Sequence, residues 1–367
     1  MIRDVPNLRF PEFTEEWERC SLGHVTDFVK ERISTDKLTL ANYVSTENMK
    51  SDFGGINPAI SIPNNTNVIH YKKGDVLLSN IRPYLRKVWA ANSDGGCSTD
   101  VFVFRAKSIS PSFLHYIMAN DTFINYVMSG AKGVKMPRGD KEQMLKYVFS
   151  IPRIEEQYKI SRLLHLLDDR IATQNKIIED LKKLKSAISE RFFTSINGDV
   201  VTLADICDIV KGKQVNGEFL TDSGNYYVMN GGIEPSGYYD DYNTEANTIS
   251  ISEGGNSCGY VQFNTTPFWS GGHCYTIQNI TNNVEKLYLY HYLKCNEDTI
   301  MKLRIGSGLP NIQKKDLAKF RVIVPIIEQQ KTISAFLSLL ERKVQVETDI
   351  LIAVQSEKQY LLRQMFI

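Results

Sequence analysis

The 367-residue chain is poor in cysteine and has almost no net charge. Its six cysteines lie far apart without a C-x-x-C pair, which argues against zinc or a disulfide framework and fits a reducing cytoplasm. No apolar run approaches the ~20 residues that span a bilayer. The start lacks the apolar stretch of a signal peptide. The 42% hydrophobic and 23% charged fractions indicate a soluble globular protein with room for two or more domains.

Motifs for catalysis are also missing. The six histidines show no H-E-x-x-H spacing, and neither G-x-S-x-G nor the Asn/Asp-Pro-Pro-aromatic motif of an amino-methyltransferase occurs. Gly254-Gly255 is not followed by the G-K-[ST] of a phosphate-binding loop. Paired carboxylates such as Asp168-Asp169 are common at surfaces, and neighbours on a helix face different ways. The sequence therefore predicts neither catalytic residues nor metal ligands.

An internal repeat is the clearest positive feature. Residues 133–193 match residues 306–366 at 16 of 61 positions with one offset of 173 and no gap. Chance would give only a few identities, so the chain contains a duplication. In each copy a short apolar run, read as a strand, stops at Pro152 or Pro325. Glutamates follow at once, as expected at the positive end of a new helix.

Apolar residues in both predicted helices alternate at spacings of four and three, the 3.5-residue period of a coiled-coil seam. The seam positions are Ile160, Leu164, Leu167, Ile171, Gln174, Ile178 and Leu181 in the first helix and Ile333, Leu337, Leu340, Val344, Glu347, Leu351 and Val354 in the second. Polar interruptions coincide, Gln174 with Glu347 and Lys185 with Lys358. Such residues fix register and partner, so we predict that the helices pair with each other, antiparallel. Alternatively, each amphipathic helix packs on its own domain.

The remaining sequence forms two units with β-rich, turn-rich patterns. The predicted divisions are a first globular unit at 1–154, a helix at 155–193, a second globular unit at 194–327 and a helix at 328–367. Predicted strands are 67–71, 75–79 and 101–104 in the first unit and 248–252, 259–263 and 274–277 in the second, with helical patterns at 111–128 and 287–302. The first unit has 20 Lys and Arg against 16 Asp and Glu, and the second has 10 against 14. Nucleic-acid contact by the second unit would therefore need a local basic patch.

Basic and polar residues in turns are the candidate DNA contacts, because Arg and Lys bond phosphates, Arg bonds guanine, and Ser, Asn and Tyr suit either. In the first unit these are Ser79, Arg82, Tyr84, Arg86, Lys87, Lys135 and Arg138. In the second unit they are Lys211, Lys213, Gly232, Tyr238, Ser252, Asn256, Arg304 and Lys314, where glycines let backbone amides approach a phosphate. The alternative is that these segments are ordinary solvated turns.

Several segments resemble those of one family. The opening Val5–Phe13 with Trp17, the run Gly74–Tyr84, the Pro152–Gln157 junction and the turn Gly232–Tyr238 are similar to type I restriction-modification specificity subunits. The similarity covers essentially the whole chain, in the family's order of recognition domain, helix, recognition domain, helix. No single motif decides it, but order and duplication together are strong.

The resemblance implies an α+β fold in which two β-rich target-recognition domains are separated by two long helices that form an antiparallel coiled coil, with a pseudo-two-fold internal repeat. Each domain would read half of a bipartite double-stranded DNA site, and the helices would set the gap and dock two modification subunits. S-adenosylmethionine, ATP and Mg are expected on the modification and restriction subunits and no cofactor on this chain. A rival hypothesis is a coiled-coil interaction protein whose β-rich heads bind protein or glycan. A stand-alone methyltransferase or nuclease is a third.

Overall fold

The computed structural model describes residues 5–306, 308 and 310–366, which fall into two compact units. Unit 1 comprises the chain up to Thr173 together with the part from Leu351 onward, and unit 2 comprises Gln174–Ile350. Each unit therefore holds one β-rich head and a segment of each long helix. Ser307 and Leu309 of the repeated Gly306–Pro310 segment lie outside the described residues, as do residues 1–4 and 367.

Within the described residues, the head of unit 1 contains ten strands in three sheets. The strands are β1 (Glu18–Ser21), β2 (Thr26–Phe28), β3 (Arg32–Ser34), β4 (Tyr43–Val44), β5 (Asn67–Tyr71), β6 (Val76–Ser79), β7 (Val88–Ala90), β8 (Gly95–Cys97), β9 (Val101–Ala106) and β10 (Val148–Ile151). They form the sheets β1-β10, β2-β9-β6-β7 and β3-β5-β8-β4, antiparallel except for β4 beside β8. Four short helices accompany them, α1 (Leu22–Val25), α2 (Pro111–Met118), α3 (Asp121–Ser129) and α4 (Lys141–Leu145).

The segment 111–128, predicted as one helix, is two helices. α2 ends at Met118, and the Asn120 side chain accepts a hydrogen bond from the Thr122 N–H at 3.0 Å to begin α3. Asparagine is a strong N-cap, and the apolar spacing of the segment gave no sign of the break. α2 packs on the sheet that contains β6, which is buried along its whole length, and α3 contacts α2 and belongs to the same core.

In the part of unit 2 that the structure describes, the head has nine strands in three sheets. The strands are β11 (Asp199–Thr202), β12 (Asp208–Lys211), β13 (Tyr226–Met229), β14 (Tyr238–Tyr239), β15 (Thr248–Ser252), β16 (Val261–Asn264), β17 (Trp269–Ser270), β18 (Cys274–Gln278) and β19 (Arg321–Val324). The sheets are β11-β19, β12-β18-β15-β16 and β14-β13-β17. The helices are α6 (Leu203–Ile206), α7 (Lys286–Cys295), α8 (Glu297–Met301) and α9 (Lys314–Ala318), with α7 and α8 replacing the single helix predicted at 287–302.

The backbones of the two heads repeat at the same offset of 173. Ile81 pairs with Arg138 in unit 1 as Gly254 pairs with Asn311 in unit 2. The Gly139 N–H bonds the Asn80 carbonyl at 3.2 Å, and the Ile312 N–H bonds the Glu253 carbonyl at 2.8 Å. These contacts involve main-chain atoms only, so they persist where the side chains differ. The sequence match weakens in the heads, but the framework is shared.

Each long helix follows the last strand of a head: α5 follows β10, and α10 follows β19. α5 spans Ile154–Ser195 and α10 spans Ile327–Gln364, and both carry glutamate in the first turn. Near each start a glutamine side chain ties the helix to its head: Gln157 donates to the Pro152 carbonyl, and Gln330 donates to the Pro325 carbonyl, both at 2.8 Å. The predicted α+β class and the internal repeat are thus present in the structure.

Contacts between the helix segments in unit 2 run in opposite directions along the chain. Gln174 contacts Glu347, Lys185 bonds Glu341 at 2.7 Å, and the rings of Phe192 and Phe336 lie 6.0 Å apart. The partner number falls as the α5 number rises, so these segments are antiparallel. The first-helix and second-helix seam positions are all buried or half-buried, whereas most other helix positions are exposed.

In unit 1 the equivalent contacts are made by the other ends of the helices. Lys358 of α10 pairs with Asp168 of α5, and Ile160 and Leu164 share a core with Met365. The Lys358–Asp168 pair and the Lys185–Glu341 pair are related by the offset of 173 with the two helices exchanged. Each seam lysine therefore has a carboxylate partner on the opposite helix within its unit.

The carboxylates of these pairs also hold the heads. Tyr116 of α2 donates to Asp168 at 2.8 Å, and Tyr290 of α7 donates to Glu341 at 3.0 Å. Burial and the adjacent carboxylate raise the pKa of both phenols. In each unit, one lysine–carboxylate pair of the seam therefore links three elements, the two helices and the head.

Gly198 lies between the first long helix and β11. α5 ends at Ser195, and Gly198 does not have the left-handed φ of a helix-terminating glycine. A Cβ at Gly198 would lie 2.5 Å from the Val324 carbonyl oxygen. Glycine is needed there because β11 begins in close contact with the end of β19.

Candidate nucleic-acid interface

Strained backbone is concentrated at one turn of the first head. Arg82 (φ 50°) and Arg86 (φ 53°) flank a 3-10 turn over Pro83–Leu85, and the adjacent loop contributes Asp52 (φ 55°) and Phe53 (φ 60°). The other described non-glycine residues with positive φ are all asparagines, which tolerate this region. Left-handed conformations of other residues cost roughly 1–3 kcal/mol each and tend to occur where function requires them.

Arg86 and Lys87 stabilise this turn from inside. The Arg86 guanidinium donates to Asp52 at 2.8 Å and to Asp121 at 3.0 Å, and these hydrogen bonds raise its pKa. Lys87 Nζ donates to the Thr46 carbonyl at 2.6 Å. Both side chains are therefore occupied within the fold, and they position the turn instead of extending from it.

Ser79 and Ser252 are equivalent in the repeat and both are buried. The Ser79 hydroxyl donates to the Ile81 carbonyl at 3.0 Å, and the Ser252 hydroxyl donates to the carbonyls of Gly231 at 2.8 Å and Gly254 at 3.3 Å. These hydroxyls hold the turn that follows each strand. Both hydroxyls are thus engaged within the fold, and a DNA contact by Ser79 or Ser252 stays a prediction.

The exposed candidates of the first head lie together. Arg82, Tyr84, Lys135 and Arg138 are exposed, and Arg138 makes one ion pair, with Asp100 at 3.3 Å. The Arg82 N–H bonds the Pro137 carbonyl at 2.8 Å, which places the turn beside the loop 132–138. We call Arg82, Tyr84, Lys135 and Arg138 the basic turn surface.

The second head has glycine where the basic turn surface has Arg82. Gly255 (φ 78°) donates its N–H to the Pro310 carbonyl at 3.0 Å, as Arg82 does to the Pro137 carbonyl. Glycine accepts this conformation without strain, whereas arginine does not. The first head thus keeps a strained arginine at a position that the fold allows glycine to occupy.

Three glycine-rich loops of the second head meet around one carboxylate. Glu253 is buried, and it accepts hydrogen bonds from Lys211 Nζ at 2.6 Å and from the Tyr275 hydroxyl at 2.9 Å. His273 Nδ1 lies 3.4 Å from Glu253 Oε2, which has no hydrogen-bond partner. Gly231 (φ 85°) lies against His273, since a Cβ there would be 3.1 Å from the His273 Cβ.

This arrangement gives the net-acidic second head a local patch that can carry positive charge. Lys211 and the His273 ring are both exposed, the ring at 62%, while the carboxylate that holds them is not. Lys314 adds an exposed amine two residues after Ile312, whose carbonyl accepts from the Tyr275 hydroxyl at 3.1 Å. We call Lys211, His273 and Lys314 the second-head patch.

His273 did not stand out in the sequence. The spacing of His273 from the other histidines matches no metal-ligand motif. Its position depends on Glu253 and Gly231, 20 and 42 residues away along the chain. A Gly-Gly-His turn immediately before a strand was the only local signal.

The remaining predicted contact residues of the second head are not part of the second-head patch. Asn256 is exposed on the turn after Gly255, and Arg304 is exposed next to the paired residue Ile305. Gly232 is half-buried beside Gly231. Lys213 is exposed and its carbonyl accepts from the Trp269 indole at 2.7 Å, whereas the half-buried Tyr238 lies in the separate sheet β14-β13-β17.

The described residues contain neither a metal-ligand cluster nor a membrane-spanning helix. Within this set, no three His, Cys, Asp or Glu side chains are grouped to hold a metal ion. Over the same part of the chain, no helix combines the length and the apolar character needed to cross a membrane.

Comparison with protein families identifies the architecture. The model of the type I restriction modification DNA specificity domain matches residues 14–183 and again 197–356. The chain belongs to this family. The two matches follow the internal repeat, and they confirm the resemblance found in the sequence.

Individual relatives agree with the family match. A Mycoplasma pneumoniae protein named as a type I specificity subunit is 32% identical over 154 residues, 41% of this chain and 41% of that protein. This alignment and that with a Mycoplasma genitalium relative span about two fifths of each relative's length. The MjaVIII specificity subunit of Methanocaldococcus jannaschii is 21% identical over 403 residues, covering 94% of this chain and 90% of that subunit.

A solved structure shares the fold over the full length. The crystal structure of the S subunit of a type I restriction-modification system from M. genitalium superposes with a TM-score of 0.73, covering 99% of each chain at 18% identity. At this identity the likeness concerns the fold. Two heads with a common framework and two long helices are thus the architecture of both proteins.

Proposed function

We propose that this chain is the DNA specificity subunit of a type I restriction-modification complex. Each head reads one half of a bipartite double-stranded site, and the helix pair sets the gap. One observation carries the proposal: equivalent main-chain frameworks present different side chains at equivalent positions, such as Arg82 and Gly255. A shared scaffold with divergent contact residues suits two readers of different sequence.

The first head would contact DNA through the basic turn surface. Arg82 is exposed and held by its backbone, so its guanidinium reaches outward without unfolding the turn. Arginine can bond guanine bidentately in the major groove or clamp a phosphate. Tyr84 and Lys135 add a hydroxyl and a second cation on the same surface.

The second head would contact DNA through its patch and neighbouring glycine turn. Lys211 and Lys314 are suited to phosphates, and His273 offers a ring nitrogen opposite the one that faces Glu253. Asn256 is suited to a base edge. This explains how a head with a net negative charge can bind a polyanion.

The outer faces of the helices would dock the modification subunits. Leu166 and Leu339 are equivalent in the repeat and lie 56% and 65% exposed. Exposed apolar groups at two equivalent positions fit two copies of one partner. The modification subunits would supply S-adenosylmethionine, the restriction subunits would supply ATP and Mg chemistry, and this chain would add no catalytic residue.

The test is DNA binding by the chain with and without its cognate modification subunits. Methylome sequencing of the source cell gives the modified motif, which is then offered as a duplex beside a scrambled one. We expect the assembled complex to prefer the bipartite motif by at least a hundredfold. Equal binding to both duplexes would contradict the proposal and favour heads that bind protein or glycan.

A control assigns the heads separately. Replacing His273 and Lys211 by Ala should relax discrimination at one half-site and leave the other unchanged. Replacing Arg82 and Lys135 should affect the opposite half-site. An identical effect of both pairs on both half-sites would contradict the assignment of one head to each half.

A further inference from the structure

An apolar tip projects beside the basic turn surface. Val134 is fully exposed, at 103% of its reference area, and Met136 is 48% exposed, with the exposed Lys135 between them. A side chain of this size left in water forgoes the favourable free energy that burial of an apolar group provides. We call Val134, Lys135 and Met136 the apolar tip.

The apolar tip is held in place by its base. Lys132 and Arg138 exchange two backbone hydrogen bonds of 2.9 Å, which close the loop, and Gly133 (φ 96°) makes the turn. Pro137 is buried and its carbonyl accepts the Arg82 N–H. A closed loop of this kind presents its side chains in a fixed direction and cannot fold them back into the core of the head.

The charges around the apolar tip select its occupant. Lys135 belongs to the tip, Arg82 is bonded to its base, and Lys132 and Arg138 close it. Asp140 and Asp100 neutralise Lys132 and Arg138 through ion pairs of 2.8 and 3.3 Å, which leaves Arg82 and Lys135 as the outward cations. An apolar projection that carries one cation and adjoins another is complementary to a stacked base step flanked by phosphates.

We propose that Val134 and Met136 form a wedge that enters a base step of the DNA bound by the first head, with Arg82 and Lys135 on the flanking phosphates. The wedge would partly unstack the step and bend the duplex, so that sequence is read through deformability as well as through contacts. This inference rests on the proposed function. It adds a distortion at a defined half-site.

The second repeat lacks the sequence of the apolar tip, so we expect the base step to be unstacked by the first head only. The positions equivalent to Val134, Lys135 and Met136 are Ser307, Gly308 and Leu309 in the sequence of the second. A serine and a glycine replace the valine and the lysine. We therefore expect unstacking in one half-site only.

The experiment uses the chain assembled with its modification subunits. Duplexes carry the adenine analogue 2-aminopurine in place of each adenine of the bipartite site in turn, except the base that is modified. We expect fluorescence to rise severalfold at one step of the first head's half-site and at none in the other half. In V134S/M136S this rise should disappear, while the preference for both half-sites persists and affinity falls by roughly tenfold to a hundredfold, the value of two partly buried apolar contacts.

Two controls separate the wedge from general effects. Ile60, also in the first head, is 96% exposed, and I60S should leave the signal unchanged. K135A should weaken binding and lower the salt dependence by about one phosphate contact, with the fluorescence rise retained.

The outcomes distinguish this inference from the proposed function. Preference for the bipartite site without any rise in the first half-site, or with a rise that V134S/M136S retains, would overturn the wedge alone. Absence of any bipartite preference would overturn both.

Discussion

Gln174 and Glu347 occupy the same position in the two repeats, and they contact each other. Gln174 Nε2 donates to the Glu347 carbonyl at 3.0 Å and also to its carboxylate, and both residues are buried. A residue that contacts its equivalent in the other repeat makes an isologous contact, as at the interface of a two-fold dimer. Here the contact lies within one chain. Lys343 on the same helix pairs with the Glu347 carboxylate, so the charge in the seam is compensated.

This contact should determine specificity of helix pairing more than stability. Q174L removes the amide donor from a buried carboxylate and should lower the free energy of unfolding by about 1.5–3 kcal/mol. Q174L/E347L makes the seam apolar and should be as stable as the wild type or more so. Urea unfolding would measure both. The double variant should also form dimers by light scattering, because apolar seams specify partners poorly; a double variant less stable than Q174L would contradict this account.

Substitutions of Arg82 should affect the stability of the chain and its binding to DNA differently. Glycine is normally less stable than alanine by roughly 0.5–1 kcal/mol, but at φ 50° the order should reverse. We therefore expect R82G to be at least as stable as R82A in urea unfolding. Both should lose roughly tenfold or more in affinity, measured by titration of the assembled complex with the bipartite duplex. Unchanged binding by both variants would remove Arg82 from the interface.

Two buried histidines predict the response to acid. Burial lowers the pKa of His115 and His291 to about 4, with the neighbouring carboxylates Asp168 and Glu341 opposing the shift. The unfolded chain takes up protons near pH 6.5 that the folded chain refuses until about pH 4. Stability should thus fall as the pH drops from about 6.5 to 4.

His291→Gln should flatten this dependence, as measured by thermal unfolding at a series of pH values. His291 Nε2 lies 2.9 Å from the Ser338 hydroxyl. S338A removes this partner but keeps the ring, so it should lower Tm at every pH without flattening the curve. The same slope in His291→Gln and wild type would show that this ring is not the source.

Leu166 and Leu339 should control the number of docked modification subunits. Glutamate at one position should reduce the complex from two modification subunits to one, and at both positions to none, as native mass spectrometry would show. Because both side chains are exposed, neither change should alter Tm by more than a degree or two. I60E, at an exposed site in the head, is the matched control. Full occupancy in the doubly substituted chain would place the dock elsewhere.

The helices were the most predictable part of the molecule. Their seam repeats a 3.5-residue period, and this period depends on local spacing alone. The partners of the polar interruptions were not predictable, because Lys185 and Lys358 bind carboxylates that also hold tyrosines of the heads. Sequence spacing carries no information on such three-element contacts.

The candidate interface was predictable in part. The basic turn was recognised by composition, and Arg82 and Lys135 are exposed as a ligand surface requires. Composition could not show that the Ser79 hydroxyl is consumed by the turn or that Arg86 pairs with two aspartates. The position of the His273 ring depends on the buried carboxylate of Glu253, which follows a strand distant in the sequence, and only the folded chain reveals this contact.

The main-chain hydrogen bonds that join each turn to its loop have an evolutionary consequence. The bonds from Arg82 to Pro137 and from Gly255 to Pro310 use no side-chain atom of the donor residue. Residues at the tips can therefore be exchanged with little effect on the scaffold, and a few substitutions could redirect one head while the other keeps its target. Such changes would give a lineage a new methylation pattern in which half of the old motif is retained.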